Sequence, residues 1–237
     1  MVEVVSGLRA VVDGLMPSSV AAGLAEAEGW SPDEVEAYCA RCGASAGPGS
    51  TDAGGCVFCR GKPVAWDTTV RLSGYVAPMD GWIKAMKFGR RWSWGPHLGR
   101  RLAERVEIPD DGKPVVVCPV PMPWRRRWGR GFNQSALMAE ALAAARGWPC
   151  VELLRRTRHT PPQTAVPASR RSANIRGSFA VRPIDVTGCR VLLVDDVKTT
   201  GATLHACARL LKQAGADEVR VAVAAVADPK DRNFKAL

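Results

Sequence analysis

No apolar run in the 237-residue chain approaches the ~20 residues that a helix needs to span a bilayer. Negative charge is also scarce, with 23 Asp plus Glu against 33 Lys plus Arg and a formal net charge of +10. Between Arg155 and Arg182 there is no carboxylate side chain at all. A balance of this sign favours anionic partners such as polyphosphates or nucleic acid, and it says nothing about fold. A signal-peptide pattern is missing as well, because Glu3, Arg9 and Asp13 interrupt the apolar pattern of Met1 to Met16, which reads as an amphipathic helix. The cysteines do not resemble a secreted disulfide framework. Four form two close pairs, and Cys118, Cys150, Cys189 and Cys207 fall in or beside expected strands and helices as small apolar residues. The expectation is a soluble, cytoplasmic chain with one α/β domain of ordinary size and a small appendage.

What is present centres on Val191 to Leu204. Val191-Leu192-Leu193-Val194 suits a strand buried on both faces, as in a parallel sheet. Asp195 and Asp196 follow at its carboxyl end, then Thr199-Thr200-Gly201-Ala202-Thr203. An apolar-periodic run from Leu204 to Ala214 reads as a helix closed by Gly215. Strand, acidic pair, hydroxyl-rich turn and helix N-terminus together suit a sugar phosphate. Unpaired N–H groups and the positive end of the helix dipole face the anion. The carboxylates can accept hydrogen bonds from two neighbouring ribose hydroxyls or hold a hydrated magnesium ion. An ordinary buried strand with an acidic turn is the simpler reading, and it does not account for Thr-Thr-Gly-x-Thr in the same register.

Near the amino terminus, Ser31-Pro32-Asp33-Glu34 reads as the start of a short helix ending near Tyr38. Cys39-x-x-Cys42 and Cys56-x-x-Cys59, each followed within two residues by glycine, match a four-thiolate structural zinc site. Two unconnected reduced pairs are the alternative. Zinc at this place would fold a segment too rich in loops to build a core of its own. Leu72 to Val76 suits a short strand, and helices are expected over Trp82 to Phe88 and from Pro96 through Val106. Lys84, Lys87, Arg90, Arg91, Arg100, Arg101 and Arg105 make this stretch positive, with Trp92 and Trp94 between the charges. Cations beside aromatic rings suit a single-stranded nucleic-acid groove, although a solvated charged face with tryptophans in the core is the commoner arrangement. His97 reads as a packed or capping histidine.

Val115 to Cys118 forms another short apolar strand, stiffened at its exit by Pro119, Pro121 and Pro123. The loop Trp124 to Gln134 carries Arg125, Arg126, Arg127 and Arg130 and enters a helix over Ser135 to Arg146. Guanidinium forks and glycines between a strand and a helix N-terminus make a second anion site, with a basic surface loop as the simpler alternative. Two anion sites suit a two-headed ligand, phosphoribosyl diphosphate. Pro149 to Leu153 is a candidate strand. The arginine-rich stretch from Arg155 to Arg182 reads as a long polar loop of the kind that forms lids or binding segments, a solvated insert being the alternative. Glu218 to Ala227 is a further strand.

Val191 to Leu204 resembles the phosphoribosyl-diphosphate signature of type I phosphoribosyltransferases. Arg130-Gly131-Phe132-Asn133-Gln134 after Pro119-Val120-Pro121, then Arg156, Thr160, Pro162-Gln163, Arg171, Asn174 and Phe179, resembles specifically the ComF family. That family comprises phosphoribosyltransferase-like proteins linked to competence and uptake of transforming DNA. The two cysteine pairs and Lys84 to Phe88 also fit its amino-terminal layout, so the resemblance runs in order from about Cys39 to Ala227, while residues 18 to 36 are longer than that layout. It implies a type I phosphoribosyltransferase-like parallel sheet flanked by helices, with an N-terminal four-cysteine zinc knuckle. The expected divisions are 1–66 for the helices and knuckle, 67–113 for the basic connector and 114–237 for the phosphoribosyltransferase-like part.

By the same resemblance, Asp195 and Asp196 hold ribose hydroxyls and magnesium. Thr199, Thr200, Gly201, Ala202 and Thr203 cradle the 5′-phosphate, and Arg127, Arg130, Gly131 and Asn133 face the pyrophosphate. The implied chemistry is displacement of pyrophosphate from the anomeric carbon by a nitrogen nucleophile. Purine-salvage enzymes of the 6-oxopurine type carry an aspartate where this chain has Thr199, so that acid/base group is missing. Three functions stay open on the sequence: a transferase of unknown acceptor, a binding module that acts on single-stranded DNA, and a sensor of the sugar diphosphate.

Overall fold

Three short segments rich in valine, leucine and alanine, with no internal proline, join a more polar fourth, Thr68–Gly74, to make the central sheet. The computed structural model describes residues 25, 29–47, 49–89, 91–122, 131–157 and 177–228. In chain order the elements begin with a small hairpin of β1 (Thr51–Asp52) and β2 (Gly55–Cys56), followed by β3 (Thr68–Gly74). Helices α1 (Met79–Phe88) and α2 (Trp94–Arg105) come next, then β4 (Val115–Pro119) and α3 (Gln134–Arg146). A second hairpin, β5 (Leu154–Arg156) and β6 (Phe179–Val181), precedes β7 (Arg190–Lys198), α4 (Ala202–Gln213) and β8 (Glu218–Val226).

The main sheet has the order β3-β8-β7-β4 and all its pairings are parallel. Because side chains alternate along a strand, β7 feeds two cores. Leu192 and Val194 pack with Ile83, Leu98, Leu102, Met138 and Leu142 from α1, α2 and α3. Val191 and Leu193 face the other way, onto Leu204, Cys207, Ala208 and Leu211 of α4, with Trp66, Leu153 and Phe179 alongside. The near-continuous apolar run of β7 is thus the signature of a sheet covered on both faces. Strand β3, within the basic stretch 67–113, forms one edge of this same sheet.

Three elements differ from the sequence reading. Ser31 to Tyr38 does not become a capped α-helix and forms only a 3₁₀ turn over Val35–Ala37. Its backbone is committed elsewhere: the Asp33 N–H donates to the Leu72 carbonyl at 2.7 Å, and Tyr38 bridges to Ser45. The Asp33 carboxylate accepts from Arg71 at 2.7 Å and from the Gly74 N–H at 3.0 Å, so this acid anchors a strand and does not cap a helix. Pro149 to Leu153 contributes one bridge, Cys150 to Val117, beside β4, and the regular strand starts only at Leu154. Strand β7 runs on through the acidic pair to Lys198.

At the amino ends of the strands, Arg190 is almost wholly buried and forms ion pairs with Asp111 and Glu218. Asp111 is held down to about 2, chiefly by its hydrogen bond with Arg190. This network closes the end of the sheet opposite the acidic pair. Among the described residues, no helix is long and apolar enough to cross a membrane. The Met1 to Met16 helix lies outside the described residues.

Candidate ligand site and cysteine cluster

Strand β4 pairs with β7 only as far as Pro119 opposite Val194. Proline has no N–H to donate, and the chain beyond it turns away, with the Val120 N–H still bonded to the Val194 carbonyl at 2.9 Å. Asp195 and Asp196 therefore come just where β7 loses its neighbour on one side. A crevice at the carboxyl ends of parallel strands is the usual binding position in open α/β sheets.

Two helices reach in to fix the carboxylates. Asn133 caps α3, its Oδ1 accepting from the Ser135 N–H at 3.2 Å while its Nδ2 donates to the Val120 carbonyl at 3.1 Å. So held, Ser135 donates its hydroxyl to Asp195 Oδ1 at 2.8 Å, and the Asp196 N–H donates to the same oxygen at 2.9 Å. From the other side, Lys87 Nζ of α1 lies 3.0 Å from Asp196 Oδ2, with both side chains largely buried (17% and 13% exposed). Burial, then repulsion from Asp196, push the Asp195 carboxyl up to about 7, against the pull of Ser135, the Asp196 N–H and Lys87. Tyr75, just beyond β3, belongs to the same environment: burial and the charges of Asp80 and Asp196 push its phenol up to about 12.

Past Lys198 the chain turns through Thr199 and Thr200 to Gly201, which has φ 77° and stands at the start of α4. That left-handed conformation strains a residue with a Cβ. Space is short there too, since a Cβ on Gly201 would be 3.1 Å from the Trp66 ring and 3.3 Å from Lys198 Cε. Thr200 Oγ1 accepts from the Ala202 N–H at 3.4 Å. The first turn of α4 offers N–H groups that have no acceptor within the helix, which is an anion-binding geometry.

The four paired cysteines come together. Cys39, Cys42, Cys56 and Cys59 are buried, all four Sγ atoms lie within 4.8 Å of one another, and none is in a disulfide. Three separations are 3.8 Å (Cys39–Cys59), 3.6 Å (Cys42–Cys56) and 3.9 Å (Cys56–Cys59). A tetrahedron of about 2.3 Å zinc–sulfur bonds has sulfur–sulfur edges of about 3.8 Å, so the donor set fits that ion. Burial pushes the Cys42 and Cys59 thiols up, which a bound cation would reverse. Gly55, at φ 96°, is required for this approach, because a Cβ there would come within 2.4 Å of Cys59 Sγ.

The cluster is joined to the turn at Gly201 through one ring. Trp66 Nε1 donates to the Arg41 carbonyl at 2.9 Å and to Thr69 Oγ1 at 2.8 Å. Arg41 lies inside the first cysteine pair, and its guanidinium donates to the carbonyls of Gly54, Cys59 and Lys62. The other edge of the Trp66 ring lies over Gly201. Arg71, 2% exposed, fastens the same segment to β3 by donating to the Gly43 carbonyl and to Asp33.

The structure thus brings Asp195, Asp196 and Thr199 to Thr203 to one end of β7, and it gathers the four cysteines. Gly131 (φ 81°) and Asn133 precede α3, while Arg127 and Arg130 lie outside the described residues, as does most of the arginine-rich loop. Sequence reasoning missed three residues. Lys87 was legible as part of a basic stretch and of Lys84 to Phe88, which fits the family's amino-terminal layout, Ser135 as the first residue of a helix, and Trp66 not at all; their roles depend on tertiary neighbours. Trp94 is not a base-stacking ring: it is 2% exposed and stacks on Trp82 with 4.3 Å between centroids. His97 is packed edge-on against Trp94, and burial with Arg101 and Arg100 takes it down to about 4.

A parallel sheet whose acidic strand end adjoins a Thr-Thr-Gly turn and a helix N-terminus defines the type I phosphoribosyltransferase class. The family model for the phosphoribosyl transferase domain matches residues 131–236. The chain belongs to the ComF family within that class. It is 35% identical over 189 residues to DNA utilization protein YhgH of Salmonella typhi, covering 77% of this chain and 81% of the relative. Competence protein F of Haemophilus influenzae is 31% identical over 194 residues, covering 78% and 82%. Among solved structures, the glutamine phosphoribosylpyrophosphate amidotransferase from B. subtilis, complexed with ADP and GMP, is similar at 23% identity and a TM-score of 0.43. That likeness covers 60% of this chain and 30% of the other.

Proposed function

We propose that this chain binds phosphoribosyl diphosphate at the carboxyl end of β7 and acts, in the cytoplasm, in the handling of single-stranded DNA. The observation that carries the ligand is the placement of two fixed carboxylates beside the helix N-terminus behind Gly201. Asp195 and Asp196 accept the ribose hydroxyls. The turn from Thr199 to Thr203 receives the 5′-phosphate on N–H and hydroxyl donors, and Gly201 lets the backbone come close. Arg127, Arg130, Gly131 and Asn133 are assigned to the pyrophosphate in this reading, from the order of strand, basic loop and helix in the sequence, Arg127 and Arg130 lying outside the described residues. Magnesium, held with the ligand near the acidic pair, would supply charge neutralisation of the diphosphate. Such a pocket can orient the anomeric carbon and stabilise a departing pyrophosphate by fixed cations and donors.

Zinc at Cys39, Cys42, Cys56 and Cys59 is the structural cofactor in this reading, supported by the tetrahedral sulfur spacing. The names of the relatives, DNA utilization protein and competence protein, support the DNA-linked role. Net charge supports it too, at +10. Isothermal titration with phosphoribosyl diphosphate and magnesium tests the ligand. The wild type gives a binding isotherm that Asp195→Asn with Asp196→Asn abolishes, and equal heats from both proteins reject the proposal.

A further inference from the structure

We propose that Lys87 is a positioning residue of the sugar pocket, although it comes from the basic stretch and lies outside the matched domain, residues 131–236. The inference rests on the phosphoribosyl reading of the acidic pair and adds to it a residue from another part of the chain.

Two lysines of α1 make the contrast. Lys84 pairs with Asp80 one turn back on its own helix, at the surface, where its side chain is 45% exposed. Lys87 instead carries its ammonium inward to a carboxylate on a different element, at 17% exposure. Taking an ammonium and a carboxylate out of water is costly, and their mutual attraction has to offset that cost. Docking of α1 does not call for that pair, since Met79, Ile83 and Met86 on its inner face are themselves fully buried in the core. Lys87 therefore does something other than attach α1.

An account of the carboxylate oxygens shows what. Among the described residues, Asp195 Oδ1 takes both the Ser135 hydroxyl and the Asp196 N–H, and Asp196 Oδ2 takes Lys87. One oxygen on each side chain, Asp195 Oδ2 and Asp196 Oδ1, is left to accept from a ligand. Two acceptors on adjacent residues suit two adjacent hydroxyls, a vicinal diol. Lys87 prevents Asp196 from turning, and it cancels one of the two negative charges that the pair would present to an anionic sugar phosphate. Ser135 does the first of these for Asp195 from α3. Lys87 thus sets which ligand group the pair accepts, namely a ribose with both hydroxyls.

The test compares ribose 5-phosphate with its 2,3-dideoxy analogue by isothermal titration, on the full chain, for wild type, Lys87→Met and Lys87→Arg, with Lys87→Gln as a second neutral variant. Each hydroxyl on a fixed carboxylate is worth roughly tenfold in affinity, so the wild type prefers the ribose compound. In Lys87→Met and Lys87→Gln that preference shrinks roughly tenfold, while Lys87→Arg keeps most of it. Any general loss of positive charge affects both ligands and cancels in the ratio, as does a uniform loosening of the fold. An unchanged ratio in the neutral variants overturns the inference and leaves the pocket standing. If the wild type has no preference for the diol, or binds neither compound, the phosphoribosyl reading falls and takes the inference with it.

Discussion

Asp195 is held in an environment that opposes its charge, with one neighbour of like sign and little water. A carboxyl raised to about 7 in the fold, from about 4 in the unfolded chain, binds its proton more tightly when folded. Its contribution to stability is full below the unfolded value, and it is lost as pH rises through about 7. Asn at this position keeps an acceptor for Ser135 and the Asp196 N–H without the charge. Asp195→Asn should then melt higher than wild type at pH 8 in the absence of magnesium, with the gap closing by pH 5. Each kcal/mol corresponds to about 2–4 °C in a chain of this size. Thermal denaturation at the two pH values checks this, and a gap independent of pH would mean that Asp195 is ionised without penalty. The acidic pair itself was legible because two adjacent carboxylates after four apolar residues have few structural uses. Its partners were not legible as partners, since nothing local to Ser135, or to Lys87 within Lys84 to Phe88, points to a carboxylate on β7.

At the scale of elements, the cysteine segment and the turn at Gly201 are one mechanical unit. Arg41 holds three carbonyls of the cysteine segment, its own carbonyl holds Trp66, and the Trp66 ring packs over Gly201. Metal removal should therefore be felt at the ligand site as well as in stability. Dialysis against a strong chelator should lower the melting temperature and weaken binding of phosphoribosyl diphosphate, and re-addition of zinc should restore both. Metal analysis of the purified chain should give about one zinc equivalent, from four thiolates around one ion. Full affinity in folded, metal-free protein would separate the two elements. The helices α1 to α4 were readable from their apolar spacing, to within a few residues. Ser31 to Tyr38 was misread because its cap-like residues are used by β3: Asp33 pairs with Arg71 across 38 positions of sequence, and no local rule contains that competition. The hairpin β5–β6 was hidden in an arginine-rich stretch that reads as loop, where Arg156 lies over the Phe179 ring at 5.1 Å.

The whole molecule carries a buried ion-pair network at the amino ends of the strands and its acidic pair, the proposed ligand site, at the carboxyl ends. A net charge of +10 makes affinity for single-stranded DNA strongly salt-dependent if the DNA-linked role is direct. With about five phosphates neutralised, the slope of log affinity against log salt would be about −3.5. Fluorescence anisotropy with a labelled oligonucleotide measures it, and absent binding at low ionic strength would remove DNA as a direct partner. The tryptophans do not add to that surface as the interleaved pattern suggested. Trp82 and Trp94 stack in the core, and Trp92 packs beside Phe132 at 5.6 Å.

The central claim is that the end of β7 is a phosphoribosyl diphosphate site, and a crystal soaked with that ligand and magnesium tests it most directly. Ribose hydroxyls are expected within hydrogen-bond reach of Asp195 and Asp196, with the 5′-phosphate on the first turn of α4. A pocket that stays empty at saturating ligand, or a ligand bound away from the acidic pair, would contradict it.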